Sequence, residues 1–176
     1  KFSDVLPIDS AIGQGSHNYT TIGLARYVTA IANKGTCYQM SLVSKVTDSS
    51  GTMIETFQPA VRNRIQIQAS TWSAVQSGMR VVAEKTNAFK NFPINVAGKT
   101  GTAQTSTSRT NHALFLGFAP YENPKIAIAV RIAYGYTSAN AAAVASDVFK
   151  YYFELEDADE LINGIADTTE MEVIED

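Results

Sequence analysis

The densest chemistry in the chain lies in nine residues, Val96-Ala97-Gly98-Lys99-Thr100-Gly101-Thr102-Ala103-Gln104. Lys99, Thr100 and Thr102 bring one ammonium and two hydroxyls together, a set that attracts and orients a carboxylate or similar anion. The lead-in Pro93-Ile94-Asn95-Val96 alternates as a strand does, and Gly98 and Gly101 leave room for another backbone to approach. Together they predict an anion-binding edge on a strand. Lys-Thr-Gly alone is only a three-letter match, so the case depends on what surrounds it.

The surrounding elements can be read in order. Residues 1–19 have little periodicity. Thr20 or Thr21 can cap a helix over 20–33, with Ile22, Ala25, Val28 or Thr29, and Ala32 as its apolar stripe and Lys34-Gly35 as its stop. Residues 39–46 and 53–57 predict a hairpin through Asp48-Ser49-Ser50-Gly51, packed beside the main sheet. Ser70 then caps a helix over 70–83, with Trp72, Val75, Met79 and Val82 facing inward, and 84–92 reads as a polar loop.

Three strands follow: the central one, 112–118 and 125–133, joined by turns at 106–110 and 120–124 too short for anything but antiparallel pairing. In the last strand Ile126, Ile128, Val130 and Ile132 point one way and Ala127, Ala129 and Ala133 the other, which implies cover on both faces. A final helix over 138–152, with Ala141, Val144, Ala145, Val148 and Tyr152 in one stripe, is expected to lie close over the alanines. The class is α+β, an antiparallel sheet flanked by helices.

Composition narrows the function. The 176 residues, 45% apolar, suffice for one core. No apolar run approaches a membrane span, and the start carries no signal-peptide pattern. Cys37 is the only cysteine and reads as a half-buried small residue. Residues 1–150 hold all 14 Lys and Arg against seven acids, a net of +7, while 151–176 carry ten acids and no Lys or Arg. Residues 1–152 therefore read as the folded portion and 153–176 as an acidic, solvated tail with a short helix near 157–162. No phosphate loop, metal-ligand cluster or basic-aromatic alternation is present, so no cofactor, metal or nucleic acid is expected.

The longer stretch Ala97 to Gln104 resembles the transpeptidase domains of class B, high-molecular-weight penicillin-binding proteins, in which Lys-Thr-Gly is one of three shared motifs. Ile12-Gly13-Gln14-Gly15 with Thr20-Thr21-Ile22-Gly23-Leu24-Ala25, and His112-Ala113-Leu114-Phe115-Leu116-Gly117-Phe118-Ala119-Pro120, resemble neighbouring segments of the same enzymes in the same order. The resemblance implies the penicillin-binding protein and serine β-lactamase-like fold. It also implies attack by a serine on a D-Ala-D-Ala stem peptide, with the acyl-enzyme resolved by an amine; β-lactams would mimic the dipeptide.

By the same resemblance, Lys99 holds the electrostatic environment of the absent Ser-x-Asn serine, and the Thr102 backbone N–H is one oxyanion donor. Thr100, Gly101, Thr102 and Gln104 bind the substrate, with Thr100 and Thr102 holding its carboxylate. His112 has no place as a base in this family and reads as structural, and His17 as surface.

That family also needs Ser-x-x-Lys and, earlier than Ile12, Ser-x-Asn. No serine in this chain has lysine three positions later; Ser77-Gly78-Met79-Arg80 and Ser106-Thr107-Ser108-Arg109 end in an arginine that cannot serve as a base. Ser16-His17-Asn18 and Ser138-Ala139-Asn140 fall in the wrong order. The expectation is the C-terminal portion of a transpeptidase domain, inactive alone, from a parent anchored on the outer face of the bacterial cell membrane. A missing N-terminal half would be its partner, and without it an open sheet edge would invite self-association. The alternative is a non-catalytic module that senses muropeptide or β-lactam.

Overall fold

The computed structural model describes residues 18–105 and 107–162, so the Ile12-to-Gly15 stretch, Ser16, His17, Ser106 and the tail beyond 162 lie outside the described residues. The order is α1 (Thr21–Ala32), β1 (Thr36–Tyr38), β2 (Lys45–Thr47), β3 (Met53–Thr56), β4 (Val61–Arg64), α2 (Ala69–Lys85), a 3-10 turn (Asn87–Phe89), β5 (Ala97–Ala103), β6 (His112–Ala119), β7 (Ile126–Ile132), α3 (Ser138–Tyr152) and α4 (Ala158–Leu161).

Helix α1 starts where Thr20 accepts the Gly23 N–H on its hydroxyl at 3.1 Å. It stops at Lys34 and Gly35, both at positive φ, with the Gly35 N–H returning to the Ala30 carbonyl at 2.7 Å. Helix α2 begins at Ala69 rather than on a Ser70 cap: Gln68 takes the cap position, and no side chain caps there. Gln76 sits on the buried side of α2 and donates from Nε2 to the Ile31 and Ala32 carbonyls at 2.8 and 3.3 Å, satisfying the end of α1. The hairpin of β2 and β3 turns at Asp48 to Gly51 as expected, but its first strand is only three residues long. The chain between 36 and 38 pairs instead with β4.

The main sheet runs β5-β6-β7, antiparallel throughout. Its register sorts the side chains into two layers. Phe118 and Ala127, with Ala97 and Leu116, face Val28, Ile31 and Ala32 of α1 and Trp72 and Met79 of α2. Phe115, Ala113 and Ala119, with Ile126, Ile128, Val130 and Ile132, face Ala141, Ala142, Ala145 and Phe149 of α3.

Two expectations are thereby reversed. The last helix covers the isoleucine face of β7, and α1 approaches the alanine face. The buried stripe of α3 is Ala141, Ala142, Ala145, Ser146 and Phe149, whereas Val144, Val148 and Tyr152 are exposed. Ala141, Ala142, Ala145 and Ser146 on the helix, opposite large residues on the strand, let α3 lie close to the sheet. Similarly, Val75 of α2 is exposed while Gln76 and Ala83 are buried.

The segment 84–92 is not simply a polar loop. Phe89 in its 3-10 turn is buried, with its ring centroid 5.1 Å from Phe115 and 6.2 Å from Phe149. Truncating any of these three would remove about 3–5 kcal/mol. After α3 the chain folds back: Lys150 pairs with Glu156 at 2.9 Å, and α4 follows.

A candidate binding edge on β5

Strand β5 begins at Ala97, not within 93–96. Its lead-in is held by side chains from elsewhere. Arg80 of α2 donates to the Asn95 side-chain oxygen at 2.7 Å and to the Val96 carbonyl at 3.3 Å, and forms an ion pair with Glu84 at 3.2 Å. Asn95 in turn donates to Glu122, and this bond holds the Glu122 carboxyl below the usual carboxylate range, helped by the nearby Arg80 charge. The Asn95 carbonyl accepts from the Tyr121 N–H at 2.7 Å. The start of β5 is thus tied to α2 and to the β6–β7 turn. Nothing in the local pattern of 93–96 announces these ties, although Gln76, spaced with Trp72, Met79 and Ala83 on the inner side of α2, could have been found from its place in that stripe.

Within β5 the register decides which groups face where. Ala97 pairs with Phe118 and Lys99 with Leu116. A Cβ on Gly117 would lie 2.8 Å from the Ala97 carbonyl oxygen, and one on Gly98 3.1 Å from the Leu116 carbonyl oxygen, so the backbone groups of Ala97 and Lys99 engage β6. Antiparallel alternation then turns the N–H and C=O of Gly98, Thr100 and Thr102 to the free side of the strand. Among the described residues no strand pairs there. The Thr102 N–H therefore faces outward along an unpaired edge.

The side chains divide between the two faces. Thr100 and Thr102 share the face of Phe115 and Ala113, while Lys99 and Gly101 share that of Leu116 and Leu114. Lys99 is exposed, and its ammonium donates to the Thr100 carbonyl at 2.8 Å, on the same free side. Thr102 and Gln104 are exposed, and Thr100 and Gly101 half-buried. Both faces border the edge, so a ligand laid along it meets Lys99 on one flank and the two hydroxyls on the other. Gly98 has a different task from the one expected of it: the space beside it is taken first by the Phe115 ring and then by the Leu116 carbonyl of the paired strand, not by a ligand backbone.

His112 is buried and bonded through both ring nitrogens. Cys37 is half-buried and unpaired. Among the described residues no cluster of His, Cys, Asp and Glu could hold a metal, and no helix is long and apolar enough to cross a membrane.

Residues 3–153 match the family described as the penicillin binding protein transpeptidase domain. The chain is 35% identical over 171 residues to penicillin-binding protein 2A of Bacillus subtilis, covering 84% of this chain and 24% of that protein. It is 30% identical over 167 residues to the peptidoglycan D,D-transpeptidase MrdA of Haemophilus influenzae, covering 82% and 25%. Among solved structures, penicillin-binding protein 2B of Streptococcus pneumoniae strain R6 aligns with a TM-score of 0.75 at 29% identity, over 89% of this chain and 28% of that one. Penicillin-binding protein A of M. tuberculosis, as its imipenem acyl-enzyme complex, aligns with a TM-score of 0.72 at 26% identity, over 82% and 33%. The chain thus spans about a quarter of the length of these curated relatives.

Proposed function

Because the chain belongs to the penicillin-binding protein transpeptidase family, we propose that its β5 edge binds the peptide end of peptidoglycan during D,D-transpeptidation, and binds β-lactams in its place. The observation that carries this is the unpaired side of β5, which presents outward backbone groups at Gly98, Thr100 and Thr102 beside an exposed lysine. An extended peptide ending in a carboxylate adds to such an edge as a further strand. The Thr100 and Thr102 hydroxyls would hold its carboxylate, with Gln104 beyond them and the Lys99 ammonium supplying positive charge from the other flank of the strand. The Thr102 N–H would then be one oxyanion donor, a group whose removal typically costs about 3 kcal/mol of transition-state stabilisation.

The nucleophile must come from outside this sequence, since no Ser-x-x-Lys occurs in it. The serine Oγ would attack the penultimate D-Ala carbonyl, expel the terminal D-Ala, and pass the acyl group to an amine of a neighbouring stem peptide. We place residues 1–152 in the transpeptidase domain and 153–176 in an acidic tail, with the working site on the outer face of the bacterial membrane. The missing motif also favours a second reading, a module that binds muropeptide or β-lactam without chemistry.

Acylation of the gene product that contains this chain by a fluorescent penicillin tests the first reading. Lys99→Ala is expected to lower the second-order rate about 100-fold, and Thr102→Ser, which keeps both hydroxyl and N–H, only a few-fold. Equal losses would overturn the roles assigned to the edge. No labelling at all, with reversible binding retained, would select the second reading.

A further inference from the structure

Three segments meet where β5 ends, and one imidazole joins them. His112 opens β6 directly opposite Ala103, the last residue of β5. Its side chain is 7% exposed. The Tyr134 N–H lies 3.1 Å from Nδ1, and an amide N–H can only donate, so Nδ1 is the acceptor. The neutral ring then carries its proton on Nε2 and donates it to the Thr105 hydroxyl oxygen at 3.2 Å. The imidazole is a strut between the residue just after β5 and the loop after β7.

Tyr134 is an unusual anchor. Its φ is 56°, in the left-handed region that a bulky residue rarely adopts. Every polar group it has is engaged. The N–H is on His112, the carbonyl accepts from the Thr110 hydroxyl at 3.2 Å, and the phenol accepts from Arg109 Nη1 at 2.7 Å. The Arg109 guanidinium lies 5.4 Å from the centre of the Tyr134 ring, which stacks on His112 with centroids 5.0 Å apart. Gly135 leaves no space for a side chain, since a Cβ would lie 2.9 Å from that of Ala113, and its carbonyl accepts from Asn140 of α3 at 2.9 Å. A strained backbone persists when its surroundings over-determine it, and such places tend to be functional.

We propose that His112 and Tyr134 are positioning residues that fix the outgoing end of β5, and with it the angle at which the Thr102 N–H and the Gln104 side chain meet a bound peptide. This rests on the reading of β5 as the binding edge. A misplacement of the order of an ångström at such a site lowers rates strongly without touching the reacting groups. The proposal separates from simple stabilisation because the strut has two arms. Thr105→Val removes the Nε2 partner at an exposed position while keeping side-chain shape. His112→Gln can restore an N–H toward Thr105, and His112→Asn an acceptor toward Tyr134.

The test is the acylation rate of the gene product with fluorescent penicillin, with the melting temperature of each variant measured alongside. Thr105→Val and His112→Ala are expected to slow acylation about tenfold or more, with Thr105→Val leaving the melting temperature unchanged. His112→Gln is expected to recover most of the rate lost in His112→Ala. Hydrogen exchange on the 176-residue chain should show faster exchange at the Tyr134 amide in His112→Ala, and less change in His112→Asn. If Lys99→Ala slows acylation but Thr105→Val does not, the positioning role is overturned and the binding edge stands. If Lys99→Ala has no effect, the binding edge itself fails and the positioning role falls with it. Rates that merely follow the loss of melting temperature would also overturn the proposal.

Discussion

Gly98 and Phe115 share one slot: a Cβ on Gly98 would fall 2.3 Å from the Phe115 Cζ. Gly117, paired with Gly98 across the sheet, meets the same ring, with a Cβ there 2.7 Å from Phe115 Cε1. A cross-strand pair of glycines thus seats the fully buried phenylalanine that joins β5 and β6 to α3. The free edge of β5 and the core meet within one residue, because Lys99 follows Gly98.

Gly98→Ala is therefore expected to be a folding mutation. Forcing the ring or the strand aside costs about 1–3 kcal/mol, which lowers the melting temperature by about 5 °C in a domain of this size. Gly101 offers the contrast, since a Cβ there meets only the Leu114 Cβ at an ordinary 3.5 Å. Gly101→Ala should melt within about 2 °C of the parent and, in the gene product, still slow acylation by crowding the bound peptide. A Gly101→Ala variant that acylates at the parent rate would remove Gly101 from the binding edge.

The three main-sheet strands and the three longer helices were legible because periodicity and short turns decide them. By contrast, β1 and β4 were not foreseen, and the strand expected over 39–46 is only Lys45–Thr47. Residues 112–118 and 125–133 differ from the observed strands by a residue or two at their ends. The inner faces of the helices were less legible. Val75, Val144 and Val148 looked inward by hydrophobicity alone, yet Gln76 next to Val75, and Ala142, Ser146 and Phe149 on α3, took the buried positions. Which helix covers which side of β7 depends on the handedness of long connections, and that leaves no trace in the alternation of Ile126 to Ala133. The Arg80–Asn95–Glu122 and His112–Tyr134 networks join residues 15 to 27 positions apart, beyond the reach of any local pattern.

Asp147 links stability to pH. It lies on α3 beside the buried Ser146, and burial raises its carboxyl pKa above the ordinary value; Lys150 opposes the shift and Glu156 adds to it. The folded state therefore binds this proton more tightly than the unfolded chain does. Stability from this group is greatest below the ordinary carboxylate pKa and falls as pH rises through the raised one. Asp147→Asn should accordingly melt higher than the parent at pH 7, and the gain should shrink as pH is brought below about 4. An equal gain at both pH values, in paired thermal melts, would mean that the carboxyl is not the cause.

The chain incubated alone with benzylpenicillin should gain no covalent adduct. A hydroxyl needs a neighbouring base to act as a nucleophile near neutral pH, and none of its serines has lysine three residues on. Intact-mass spectrometry reads the outcome directly. A stoichiometric increase that disappears on replacing one serine would show that a nucleophile has been overlooked.

The last expectation concerns the other end of the sheet. Because Leu114, Leu116 and Phe118 bond toward β5, alternation turns Ala113, Phe115 and Gly117 toward β7, whose partners are Ile132, Val130 and Ile128. That leaves the N–H and C=O groups of Ala127, Ala129 and Arg131 on the outer side of β7, where no described strand pairs. The isoleucines of this strand pack beneath α3 and are only partly exposed, so the edge offers backbone pairing rather than a broad apolar patch. The exposed Arg131 side chain works against close approach of a second copy. Association of the isolated chain through β7 should therefore be weak and dependent on concentration. Size-exclusion chromatography with light scattering over a range of concentrations should show the average mass rising. The amides of Ala127, Ala129 and Arg131 should exchange more slowly in the associated form. A monodisperse monomer at every concentration, with those three amides in fast exchange, would mean that the β7 edge does not recruit a second copy.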